Sequence, residues 1–148
     1  MNSTMDNDTG TSYTGGPNLE DFLTGYIECM LWAGLDWDDT EDSDPQPLYE
    51  NYSADDITYE ARATIRNECQ DFYIGELADL AEAAAVLANR GHCNPWGALG
   101  HDFYLTRNGH GAGYWDRGLG AVGDRLTRAC KPWGESGEYT ADGQVHYD

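Results

Sequence analysis

No lysine or arginine occurs before Arg62, and the whole chain of 148 residues has one lysine, Lys131, and seven arginines against 27 acids. The formal net charge is −19. Nucleic-acid phosphates are bound by cations that displace counterions, so this shortage argues against direct DNA or RNA binding. No run approaches the ~20 apolar residues that a membrane helix needs, which points away from a membrane partner. The opening Met1-Asn2-Ser3-Thr4-Met5-Asp6 has neither the basic nor the apolar segment of a secretory signal. No Gly-x-Ser-x-Gly, phosphate-binding loop or His-Glu-x-x-His is present, so no reaction has a motif behind it. The four cysteines, Cys29, Cys69, Cys93 and Cys130, lie far apart. Cys29, Cys69 and Cys130 read as free thiols on apolar helix faces.

The acids are unevenly placed. Residues 1–61 hold fifteen of the 27, and all eight bases follow them. A field of this sign steers a chain toward basic surfaces, although acidity also serves plain solubility. The hydrophobic fraction of 40% supplies one core, and the length suits one domain.

Residues 1–17, rich in Asn, Ser, Thr, Asp and Gly, read as a disordered tail, followed by a single domain over 18–148. Asn18 is placed to cap a helix from Leu19 to about Gly34, with Leu19, Phe22, Leu23, Tyr26, Ile27, Met30 and Leu31 at helical spacing and Trp32 as an extension. Residues 35–52 form an acidic loop interrupted by Pro45 and Pro47. An EF-hand counted from Asp36 meets Glu41 and Pro47 where Gly and Glu are required, so a solvated loop is expected. Ser53 with Asp55 and Asp56 signals a helix start. The pattern then runs from Ile57 to Leu87, as one helix or two broken near Gly75, and ends at Gly91. Residues 91–100 read as a linker.

The stretch Gly100 to Gly118 packs histidines, aromatics and glycines around Asn108-Gly109, a strong type I′ turn signal. Counting outward predicts a β-hairpin in which Arg107 faces His110, Thr106 faces Gly111, Tyr104 faces Gly113 and His101 faces Asp116. A further helix over Leu119, Val122, Leu126 and Cys130 stops at Pro132. A second hairpin, Glu138 to Tyr147, turns at Asp142-Gly143. Arg117, Arg125 and Arg128 are expected to pair with the acidic first half. The fold class this predicts is α+β: two or three helices on one face of a small antiparallel sheet built from two hairpins.

His101-Asp102, Leu105-Thr106-Arg107-Asn108-Gly109-His110-Gly111-Ala112-Gly113 and Trp115-Asp116-Arg117-Gly118 together resemble a segment of a family of small acidic proteins of tailed bacteriophages. The closing Asp142-Gly143 hairpin is similar too. Residues 1–17 and Cys93-Asn94-Pro95-Trp96 fall outside the pattern. The resemblance implies an accessory protein in the cytoplasm of an infected bacterium. It brings no established activity, so no catalytic residue is transferred.

The function these features favour is an acidic protein that binds a basic surface of a host protein, as a nucleic-acid mimic or an anti-defence or host-takeover factor. The candidate contact residues are Asp36, Asp38, Asp39, Glu41, Asp42, Asp44, Asp55 and Asp56, with Arg107 and His110 at an exposed turn. The alternative is a small-molecule binder or enzyme that uses a hollow over Gly111 and Gly113, walled by Asp102, Tyr104 and Trp115. No cofactor is expected, and no metal. His92, Cys93, His101 and His110 are near in sequence but lack the pair spacing of zinc sites.

Overall fold

Buried positions recurring every three to four residues from Leu19 to Met30 put one apolar stripe on α1 (Gly16–Ala33). The structure, a computed structural model, describes residues 16–40 and 44–148. Of the tail expected over residues 1–17, residues 1–15 lie outside that range, as do Glu41 and Asp42. Gly16 and Pro17 already belong to α1, so Asn18 sits inside the helix and does not cap it. Trp32 leaves the apolar stripe and is 60% exposed.

Ser53 forms the expected start signal. Its hydroxyl accepts from Asp55 N–H, and Asp56 accepts from Ser53 N–H, closing a single 3₁₀ turn over 54–56. Thr58 then caps α2 (Tyr59–Gly75), accepting from Ala61 N–H at 3.0 Å. The chain breaks at Glu76 and continues as α3 (Leu77–Asn89). Gly91, with φ +86°, ends it: Gly91 N–H bonds Ala88 and His92 N–H bonds Leu87.

The first expected hairpin does not form. Asn94 accepts from Gly97 N–H at 3.1 Å and Pro95 stands at the first helical position, so α4 runs from Pro95 to Arg107. Asn108-Gly109 is the end of that helix. Gly109, at φ +70°, donates to Thr106 and His110 donates to Leu105, the two bonds of a Schellman cap. A left-handed glycine serves a helix end as well as it serves a type I′ turn, and the helix-start signal at Asn94-Pro95 decides between them. Residues 111–113 are not a strand, and Tyr114–Asp116 is a 3₁₀ turn. His101 and Asp116 are therefore not cross-strand partners.

α5 (Ala121–Cys130) buries Val122, Leu126 and Cys130 as expected, and ends in a 3₁₀ turn that contains Pro132. The second hairpin is present: β3 (Glu138–Ala141) pairs antiparallel with β4 (Gln144–Tyr147) around Asp142-Gly143. β1 (Leu35–Asp36) and β2 (Gln46–Pro47) pair separately. The architecture of the described residues is thus helix-dominated, with five helices and two small two-stranded sheets, not helices laid on one α+β sheet. Among the described residues no helix is long and apolar enough to cross a membrane.

One hydrophobic cluster draws on all five helices and on Val145 and Tyr147 of β4. Its centre is aromatic: Phe72 stacks on Phe103 at 4.0 Å, and Phe22 and Tyr26 approach Phe103 at 6.0 and 5.4 Å. Cys29, Cys69 and Cys130 are free and buried, as expected, and Cys93 is free and exposed. Burial pushes the thiols of Cys29 and Cys130 up to about 12.

α1 and α4 make the most extensive helix contact. They cross with backbones touching: a Cβ on Gly25 would fall on the Gly97 carbonyl, and one on Gly100 on the Phe22 carbonyl. Gly100→Ala is expected to destabilise by about 3 kcal/mol or more, since neither obstacle is a movable side chain. Gly75→Ala, where a Cβ meets nothing within 4 Å, is expected to be neutral or stabilising by up to about 1 kcal/mol. Urea unfolding of the two variants beside the native chain checks the contrast.

Candidate functional site

α4 carries a charged side chain near its middle and another at its C-terminal end. Just past its middle, Asp102 lines the space between α1 and the 90–94 turn. Its side chain is nearly fully buried and is bound bidentately by Arg117, with Nε–Oδ2 at 2.9 Å and Nη2–Oδ1 at 2.7 Å. Arg90 holds the loop that carries Arg117, donating to the Arg117 carbonyl at 2.7 Å and the Gly118 carbonyl at 2.6 Å. Beside this pair opens a cavity of about 440 Å³, lined by Glu28 of α1, His92, His101, Asp102 and Arg117, with Leu87 and Ala98 as apolar walls. That volume lies within the range of small-molecule sites.

The cavity's imidazoles have distinct states. His92 Nδ1 accepts from Asn94 N–H at 3.1 Å, so this nitrogen carries no proton and Nε2 is the donor. His101 is half-buried and its ring lies 6.0 Å from Trp32. Burial lowers its pKa below the ordinary 6.5, and the Arg117 charge adds to that; Asp102 and Glu28 act in the opposite sense. Glu28 itself is exposed at the cavity mouth.

At the C-terminal end of α4, Arg107 is 7% exposed and does not sit on an exposed turn. Its guanidinium binds Glu68 at 2.6 Å and the Tyr26 hydroxyl at 3.1 Å, and it donates to the carbonyls of Gly134 and Trp133. The Tyr147 hydroxyl lies 2.8 Å from that of Tyr26 and donates to Glu68 at 2.7 Å. The guanidinium also lies over Phe103 and Trp133, at 5.4 and 5.6 Å. Burial alone disfavours its charge, and the surrounding tyrosine and glutamate oxygens more than reverse this, so its pKa rises. Tyr104 is buried, donates to Glu138, and stacks against His110.

The hollow expected over Gly111 and Gly113 is absent. Gly113 packs against Thr106 so closely that a Cβ would meet its hydroxyl. Asp102, Tyr104 and Trp115 therefore do not share a site. Trp115, 51% exposed, instead lines a cleft of about 240 Å³ with Arg107, His110 and Lys131.

The expected acidic loop is partly built structure. Asp36 is 2% exposed. Its carboxylate accepts from Asp38 N–H at 3.1 Å and Asn51 Nδ2 at 3.3 Å, with Thr140 Oγ1 at 3.2 Å. Asn51 also donates to Asp39 at 2.6 Å, and Thr140 donates to Asp38 at 2.9 Å. These bonds pin a tight turn whose apex is Trp37, 70% exposed. Asp44 and Asp55 are exposed, and Asp56 is taken up by the Ser53 cap.

The arginines do not cross to the acidic half as expected. Arg117 binds Asp102, and Arg125 binds Asp79 and Glu82. Arg128 makes no ion pair among the described residues. The pair that does reach the first half is Arg66 with Glu20, at 2.8 Å. Two features of the candidate site were not foreseen from the sequence: the cavity that Glu28 and His101 both line, and the Asp102–Arg117 pair. Their separations of 73 and 15 positions match no local period. Among the described residues no three His, Cys, Asp or Glu side chains converge as a metal set. No family model matches the chain, and neither the curated proteins nor the solved structures yield a match.

Arg107→Met is expected to lower stability by about 3 kcal/mol, because it removes the buried guanidinium shared by Glu68, the Tyr26 and Tyr147 hydroxyls and the carbonyls of Trp133, Gly134 and Glu135; urea midpoints measure it. His101 has a folded pKa below its unfolded 6.5, so the unfolded chain binds the extra proton first. Stability should therefore rise with pH through the range just below 6.5 and level off above it. In His101→Gln that rise should be shallower, as read from unfolding midpoints between about pH 5 and about pH 7.5.

Proposed function

We propose that this chain is an acidic binding protein that covers a basic surface of another protein. One observation carries the reading: the turn at residues 36–39 is locked by the buried Asp36, and it holds up an exposed indole, Trp37, beside the exposed carboxylate of Asp38. A ring of this kind next to carboxylates suits arginine and lysine side chains, through cation–π contact and charge pairing together. Tryptophan is also a residue type that dominates binding energy at interfaces. Leu35 and Tyr49, both exposed, stand on the same small unit.

Asp38, Asp44, Glu50 and Asp55 make no ion pair with a described lysine or arginine, so their field is available to an outside partner. An apolar apex among the acids favours a protein groove over a bare row of carboxylates spaced like phosphates. On the resemblance to phage proteins, the partner is a host protein met in the cytoplasm of an infected bacterium. Neither nucleic acid nor membrane is the target in this reading.

The test is affinity capture from bacterial lysate with the tagged chain and with a Trp37→Ala, Asp38→Asn variant, whose changes are at the surface. The expected captured protein is basic, is lost to the variant, and is released between about 0.15 M and about 1 M salt. Capture that ignores both the salt and the substitutions would overturn the proposal.

A further inference from the structure

The cavity between α1, α4 and the 90–94 turn takes no part in the acidic turn described above, and its chemistry is selective. Asp102 and Arg117 cancel each other in a bidentate pair, so the pair adds no net charge to the space. His101, held neutral near pH 7 by its burial, offers a ring nitrogen as acceptor. Glu28 has no hydrogen-bond or ion-pair partner among the described residues, and it is close enough to act on the His101 charge. One uncompensated negative charge thus faces a space walled by Leu87 and Ala98. An anionic ligand would meet Glu28 and the field of a chain at −19.

We propose that this cavity is a binding site for an amine or guanidinium cation carried on a short apolar body. The cationic head pairs with Glu28 and donates to His101, and the apolar body lies along Leu87 and Ala98. Asp102, fixed by Arg117 and Arg90, keeps the cavity wall in place without competing for the head. The same head group is presented by a free small molecule or by an arginine side chain of a bound protein.

The experiment uses the full chain and three probes: n-butylguanidine, butyrate as an anion of similar size, and an arginine dipeptide capped at both ends. Binding is read by calorimetry and by the NMR signals of the His101 ring. The expected result is saturable binding of n-butylguanidine below roughly 10 mM, movement of the His101 signals, and no binding of butyrate. Glu28→Gln, a change at an exposed position without partners, should weaken binding about tenfold or more and leave the unfolding midpoint unaltered. A capped dipeptide that binds at least as well as n-butylguanidine assigns the site to a protein's arginine. A dipeptide that fails where the free cation succeeds assigns it to a small molecule. Absence of saturable cation binding, equal binding of butyrate, or indifference to Glu28→Gln overturns the proposal.

Discussion

The contact on which the structure depends is the glycine-lined crossing of α1 and α4. Gly25, against the Gly97 backbone, and Gly100, against the Phe22 backbone, let two helix backbones touch, closer than a side chain at either would permit. That approach brings Phe22 and Tyr26 of α1 against Phe103 of α4, where Phe72 of α2 completes the aromatic centre. It also places the charged side chains of α4. Its middle carries His101 and Asp102 into the cavity that Glu28 also lines, and its C-terminal end carries Arg107 into the tyrosine and glutamate oxygens. Widening the crossing by one methyl would move both together, because α4 is a rigid rod.

Charge is partitioned by the fold as well as by the sequence. Among the described residues, Arg66, Arg107, Arg117 and Arg125 are engaged in ion pairs, and of these pairs only the one with Glu20 draws on an acid that precedes Arg62. Asp38, Asp44, Glu50 and Asp55, which precede Arg62, face solvent. Asp36 is the exception. Its burial turns one acid of the loop into a clamp for the others, so the loop presents Trp37 in a defined direction. Acidity and rigidity coincide at that turn, which a merely solvated loop does not require.

Much of the helical framework was legible. α1, the helical stretch that the structure divides into α2 and α3 (left open as one helix or two broken near Gly75), and α5 followed from apolar spacing, and the closing hairpin followed from Asp142-Gly143, because these signals are local. The region from 91 to 118 was misread for a physical reason. A left-handed glycine after Asn108 satisfies a hairpin turn and a Schellman cap alike. Asn94-Pro95, which starts α4, lay in a stretch taken for a linker. Once α4 is a helix, Arg107 lies on its buried side and the residues expected to wall one hollow separate into three places. Asp102 goes to the cavity, Tyr104 to the core and Trp115 to a surface cleft.

The amino-acid sequence alone determined the charge imbalance, the helical stripes, the free state of the buried thiols and the turn that closes β3 on β4. Each is a property of composition or of neighbours a few positions apart. The tertiary structure decided which way the Asn108-Gly109 signal resolves, which acids are buried, and which side chains share a cavity. Those outcomes depend on contacts across tens of residues, such as Arg107 with Tyr26 and Glu68, or Thr140 with Asp36. Such contacts form only when the helices have closed at their glycines, and no period in the chain encodes them.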